Sequence, residues 1–171
     1  MSLKAQQCIA NYGNADKFAA TLNPDIQIVC VQNERNTYMG YAPTLNTMSE
    51  AYGAKRARLW IEIELNDLAE YTGAKQWSEV QRQKCAETIL GTFGYMKATE
   101  LMLFLWKMKS GEYGQFYGSI DGMKITANLQ EFAKERRARI AHYESEDAER
   151  RRNEEMKNAI TYEEWKQKQL Q

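Results

Sequence analysis

A chain of 171 residues is one domain's worth of sequence, long enough to bury a core. Lys plus Arg and Asp plus Glu both number 23, so no global field draws the protein to nucleic acid or to a membrane surface. Two prolines, 10 glycines and 27% charged residues favour a mostly helical protein.

Residues 1–42 read as an N-terminal segment. No apolar run follows Lys4, so the start does not have the form of a signal peptide. Cys8, Ile9, Tyr12, Phe18 and Leu22 recur with loose helical spacing, broken at Gly13–Asn14 and ended at Asn23–Pro24. Residues 25–31, DIQIVCV, are rich in β-branched side chains and predict a strand, with 36–41 returning as its partner after a turn at 33–36. Two strands alone are marginal and need helices to pack on. A loosely ordered segment is the alternative.

Residues 43–143 read as a helical bundle. Thr44, Leu45, Met48, Ala51 and Tyr52 predict a short helix closed by Gly53. Residues 55–73 alternate like a strand at their centre, but their length, an Arg58–Glu62 pair at i,i+4 and the closing Gly73 decide for a helix. Lys55, Arg56 and Arg58 at its start form a small basic cluster, normally a solvated helix end and less often a phosphate contact. Glu62 and Glu64 read as an ordinary solvated pair. Ser78-Glu79-Val80-Gln81 is a capping box that opens a helix carrying Val80, Ala86, Ile89, Leu90 and Phe93.

Thr99 reads as the cap of the next helix, with Glu100 near its positive end. Leu101 to Met108 is apolar nearly all round, which means a buried helix or a membrane span. It is far short of the roughly 20 residues a bilayer needs. The expectation is a core helix lying between the helices that begin near Ser78 and Met123. Lys107 and Lys109 suit its C-terminal end, and Gly111 suits a left-handed cap.

The stretch from Gly111 to Asp121 combines glycines at 111, 114 and 118 with Tyr113, Phe116 and Tyr117. Glycines allow a tight loop, and the aromatic rings either plug into the core or form a rigid surface for a partner. Asp121 then caps the longest helical pattern, with Ile125, Leu129, Phe132, Arg136, Ile140 and Tyr143 on one stripe. Arg136 interrupts that stripe and asks for a carboxylate, with Glu100 and Asp121 the candidates.

The series E-L-M-L-F, G-x-Y-G-x-F-Y-G-x-x-D and I-T-x-x-L-x-x-F-x-x-x-R, within residues 77–136, resembles an uncharacterised family of bacterial proteins. That family is common on prophages and mobile elements of Bacteroidetes, and its motif carries no known chemistry. Gly122 stands where the family pattern has proline after the aspartate, which makes the helix start less rigid. The helical segment before the motif is also similar, in pattern alone, to small phage proteins that load or inhibit replicative helicases.

Residues 144–171 read as a charged extension and tail. Arg150–Arg152 are flanked by acids that cancel their field. Thr161-Tyr162-Glu163-Glu164 reads as a further capping box, with Ile160, Tyr162 and Trp165 as a small apolar face that either docks on a partner or folds back.

Catalytic signals are sparse. The chain lacks a P-loop, G-x-S-x-G and H-E-x-x-H, has the single histidine His142, and has no C-x-x-C. Cys8, Cys30 and Cys85 are odd in number and far apart, which implies free buried thiols in a reducing cytoplasm. The expected fold is a small antiparallel helical bundle with a long C-terminal helix and a minor two-stranded β element. The expected function is a cytoplasmic, non-enzymatic adaptor without metal or cofactor. It engages a protein, for which the likeness implies a replicative helicase, through Tyr113, Phe116, Tyr117, Tyr162 and Trp165. The alternative is weak direct nucleic-acid binding through Lys55, Arg56, Arg58, Lys107, Lys109 and Arg150–Arg152.

Overall fold

The computed structural model describes every residue except Gln76 and Gln171, and Ile160 by its backbone alone. In chain order the helices are α1 (Leu3–Tyr12), α2 (Ala15–Thr21), a 3-10 turn (Pro24–Ile26), α3 (Gln27–Gln32) and α4 (Glu34–Met39). They continue as α5 (Leu45–Tyr52), α6 (Ala54–Thr72), α7 (Glu79–Phe93), α8 (Ala98–Lys109) and α9 (Gly122–Gln169). The fold is a helical bundle. It divides into two compact units, Met1–Lys134 and Glu135–Gln171, with α9 running from the first into the second.

The β element is not formed. Among the described residues there is no strand, only isolated bridges at Thr44–Lys97 and Lys75–Ser119. Both expected strands are helical instead, as the 3-10 turn with α3 and as α4. The local cause is at Asn23, whose side chain accepts from Asp25 N at 2.8 Å while Pro24 occupies the first helical position. The tertiary cause is the identity of the buried residues. Gln27 and Cys30, three apart, face inward, whereas the β-branched Ile28, Val29 and Val31 are exposed. Thr37 Oγ1 donates to Cys30 O at 2.7 Å, which locks α4 back onto α3. Packing has overridden a propensity that spans only about 1 kcal/mol.

The centre of the first unit is α8, on which residues 101–105 and Met108 are all buried. It packs against α3, α4 and α6, and Phe104 also meets Phe132 at 5.6 Å. The N-terminal helices therefore take the place on α8 that was expected for the helix beginning near Ser78. That helix, α7, packs on α6 instead. Helix α8 begins two residues earlier than expected, at Ala98 with Lys97 rather than Thr99 as its cap. Glu100 accepts from Lys97 N at 2.8 Å, and Thr99 Oγ1 donates outward to Thr37 O at 3.0 Å. At the other end Gly111 N donates to Met108 O and Glu112 N to Lys107 O, both at 3.2 Å. This paired closure needs a left-handed residue, and Gly111 supplies it at φ +82°.

Two further helix-end signals are realised. Helix α6 spans the 55–73 segment with Gly73 as its left-handed cap, and Ser78 and Gln81 form the reciprocal capping box of α7. Trp60 on α6 donates its indole N–H to Leu22 O at 2.8 Å, tying the N-terminal helices to the bundle. All three cysteines are free and buried. Among the described residues no helix is long and apolar enough to cross a membrane.

Candidate functional site

The loop after α8 is held at both ends and along its length. Tyr113 packs its ring on Phe104 at 5.6 Å. Lys75 N donates to Gly118 O at 2.9 Å and Ile120 N donates to Lys75 O at 3.2 Å, which straps the loop to the segment before α7. Asp121 accepts from Met123 N at 2.9 Å and Lys124 N at 3.4 Å, capping α9. One turn on, Lys124 donates to Gln115 O and sits 5.2 Å from the Phe116 ring centre and 5.7 Å from that of Tyr117. The three aromatics thus divide between the two expected roles. Tyr113 faces the core, Phe116 is half-buried, and Tyr117 is 90% exposed.

Between this loop and the starts of α7 and α9 lies an open groove of about 680 Å³. Trp77, Gln81, Cys85, Phe116, Tyr117 and Lys124 are among the residues that line it. Trp77 is only 9% exposed, and its indole nitrogen is closed to water without a hydrogen-bond partner among the described residues. Burial, and then the nearby Asp121 charge, pushes the Cys85 thiol up to about 12. That thiol is no nucleophile at neutral pH. Trp77, Gln81 and Cys85 were absent from the expected site. The available signal was position: the residue before a capping box commonly packs over the first turn of its helix.

The second aromatic site is a pair on one helix face. Tyr162 and Trp165 stack with ring centres 5.8 Å apart and remain 61% and 54% exposed. They do not lie in a separate tethered peptide, since α9 is continuous to Gln169. The capping box expected at Thr161 is accordingly not a helix start, and Thr161 Oγ1 donates to Lys157 O at 2.9 Å within the helix. Upstream, Arg139 donates to the Tyr143 hydroxyl at 2.9 Å, and Arg150 pairs with Asp147 at 2.8 Å.

A model of a family of unknown function, DUF6633, matches residues 78–171, more than half of the chain. The chain belongs to the DUF6633 family. The matched region contains the aromatic loop, the Tyr162–Trp165 pair and every groove residue named above except Trp77, which immediately precedes it. Neither a curated protein nor a solved structure matches the chain.

The cations of the nucleic-acid alternative do not form one free patch in this DUF6633 protein. Arg56 meets Asp16 at 3.4 Å, and Arg58 meets Glu62 at 3.7 Å and Glu87 at 3.2 Å. Lys107 lies 3.6 Å from Glu112, and Lys109 pairs with Asp67. Lys55 is exposed, while Arg136 and Lys109 are half-buried. Arg58 and Asp67 are nine residues apart on α6, so the two cationic groups are tied to points roughly 13 Å apart along it.

A buried polar cluster was read as solvated surface. Glu62 and Glu64 are both buried on α6. Glu64 Oε2 accepts from Gln27 Nε2 at 2.6 Å, and Gln27 Oε1 accepts from Lys109 Nζ at 2.9 Å. Burial pushes the Glu64 carboxyl up to about 8, with Asp67 and Asp25 adding to the rise and Gln27 and Lys109 opposing it. Glu64 is therefore mostly protonated at neutral pH, which is the cheaper state for a carboxyl out of water.

Proposed function

We propose that this protein is a non-enzymatic adaptor that binds a protein partner through the loop groove and the Tyr162–Trp165 pair. The observation that carries the reading is Tyr117, 90% exposed on a loop strapped through Lys75 and Lys124. A large aromatic held rigidly in water is an interface anchor in waiting, because it contributes contact area at little entropic cost. The exposed Tyr162–Trp165 stack supports it independently.

The resemblance of residues 77–136 to proteins of prophages and mobile elements, and the pattern likeness to helicase loaders and inhibitors, supply the setting. The adaptor acts in the cytoplasm in replication of such an element, with a replicative helicase as its partner. Gel filtration of the purified protein with the helicase of the parent cell tests this. Co-elution that Tyr117→Ala and removal of residues 159–171 each weaken is expected, and separate elution of the two wild-type proteins contradicts it. Direct nucleic-acid binding has less support, because the carboxylates beside Arg56, Arg58, Lys107 and Lys109 offset the charge that phosphate contacts require.

A further inference from the structure

We infer that a second cavity, lined by α1, residues 41–44, Thr47 and Lys97, binds a mononucleotide, with the base on Tyr41 and the Gln7–Asn11 amides and the phosphate at Lys4. The site is separate from the loop groove, and the inference is independent of the adaptor reading. The cavity has a volume of about 640 Å³, within the roughly 300–1,000 Å³ that small-molecule pockets occupy. Helix α1 contributes Lys4, Gln7, Cys8 and Asn11, which the spacing i, i+3, i+4 and i+7 places on one face.

The starting observation is Tyr41, which lines the cavity and is 98% exposed, more than Tyr117. The chain on both sides of it is fixed. Gly40 O accepts from Lys97 Nζ at 2.9 Å, and Pro43 O accepts from Ala98 N at 2.9 Å. Thr44 then caps α5, accepting from Thr47 N at 3.1 Å. The Tyr41 ring itself makes no hydrogen bond or ring contact among the described residues. A held backbone therefore presents an idle aromatic face beside a cavity, which suits stacking of a nucleobase.

The amides supply the edge contact. Gln7 Nε2 donates to Asn11 Oδ1 at 2.9 Å. That bond orients the pair and leaves Gln7 Oε1 to accept and Asn11 Nδ2 to donate, side by side. Every nucleobase has an edge with a donor beside an acceptor, which complements this pair. Lys4 supplies the anion contact: it has no carboxylate partner among the described residues. Lys4 and Asn11 are seven residues apart, about 10 Å along the helix, and a mononucleotide has a comparable length from phosphate to base edge. No lining residue is acidic, and Lys97 adds a second cation to the lining. Glu50, which meets the start of α1, lies outside the lining and already accepts from Ser2 Oγ at 2.8 Å.

The test titrates the full-length protein with AMP, GMP, CMP and UMP by isothermal titration calorimetry. At least one is expected to bind, about ten-fold or more tightly than its nucleoside or than ribose 5-phosphate. Tyr41→Ala, Lys4→Met and Gln7→Ala should each weaken that binding about ten-fold. All three side chains are exposed, so the variants should melt with wild type. In the wild-type protein the side-chain amide NMR signals of Gln7 and Asn11 should shift on titration, a readout that depends on no variant. No binding by any of the four, binding unchanged by Tyr41→Ala or Lys4→Met, or unmoved amide signals each overturns the inference. An oligonucleotide that binds far more tightly than its monomer also overturns it, since the ligand is then a strand. Helicase co-elution tests the adaptor reading alone and is untouched by any of these results.

Discussion

Helix α8 and the part of α9 beyond Glu135 are both helical for opposite reasons. In α8 nearly every side is apolar and buried, so its stability is tertiary: it is a helix because a core closes around it. Beyond Glu135, α9 is rich in charge and mostly exposed, with local pairs such as Asp147–Arg150 and His142–Glu146 at 3.1 Å along its surface. Each such pair contributes only a few tenths of a kcal/mol. Change in α8 therefore falls on stability, and on the proposed function change at the end of α9 falls on partner binding instead.

The largest expected effect is in α8. Leu103→Ala and Phe104→Ala each remove a fully buried side chain and should lower unfolding free energy by about 2–5 kcal/mol. Urea titrations that place either variant within 0.5 kcal/mol or so of wild type, the range of a neutral surface change, would break the contrast.

Next in size is the buried carboxyl beside α8. With the folded Glu64 near 8 and its unfolded value near 4.5, the unfolded chain releases this proton first as pH rises. The stabilising contribution is complete below about 4.5, falls with a limiting slope of about 1.4 kcal/mol per pH unit, and levels off above about 8. Glu64→Gln should flatten the dependence of unfolding free energy on pH between 5 and 8. Parallel curves for variant and wild type would show that Glu64 titrates normally.

These two helices also show what was legible. The apolar run of α8, the Ser78–Gln81 box and the closing Gly73 are local signals, and each appears where the residues placed it. The helical state of residues 25–39 depends on Gln27 reaching Glu64 and on Thr37 reaching Cys30, contacts between distant or turned segments. The burial of Glu62 and Glu64 depends on α3, α7 and α8 meeting α6, which the pattern within residues 55–73 does not carry. At the site, Tyr117, Tyr162 and Trp165 were identifiable as large aromatics among glycines or charges. Trp77 was not, because it lines a groove built by three separate segments.

A smaller effect is expected for nucleic acid. With Arg56, Arg58, Lys107 and Lys109 each beside a carboxylate, the protein should bind single-stranded DNA weakly, and that binding should vanish between about 50 and 200 mM salt. Tight binding that survives 200 mM salt would put the cationic helix ends ahead of the aromatic surfaces.

The most direct test of the adaptor reading removes residues 159–171 and measures melting and partner binding on the same preparation. The deletion takes the exposed Tyr162–Trp165 stack, and every side chain described within it is exposed. The account predicts a melting temperature within about 2 °C of wild type, together with loss of helicase co-elution in gel filtration. Melting many degrees lower, or co-elution undiminished by the deletion, would contradict it.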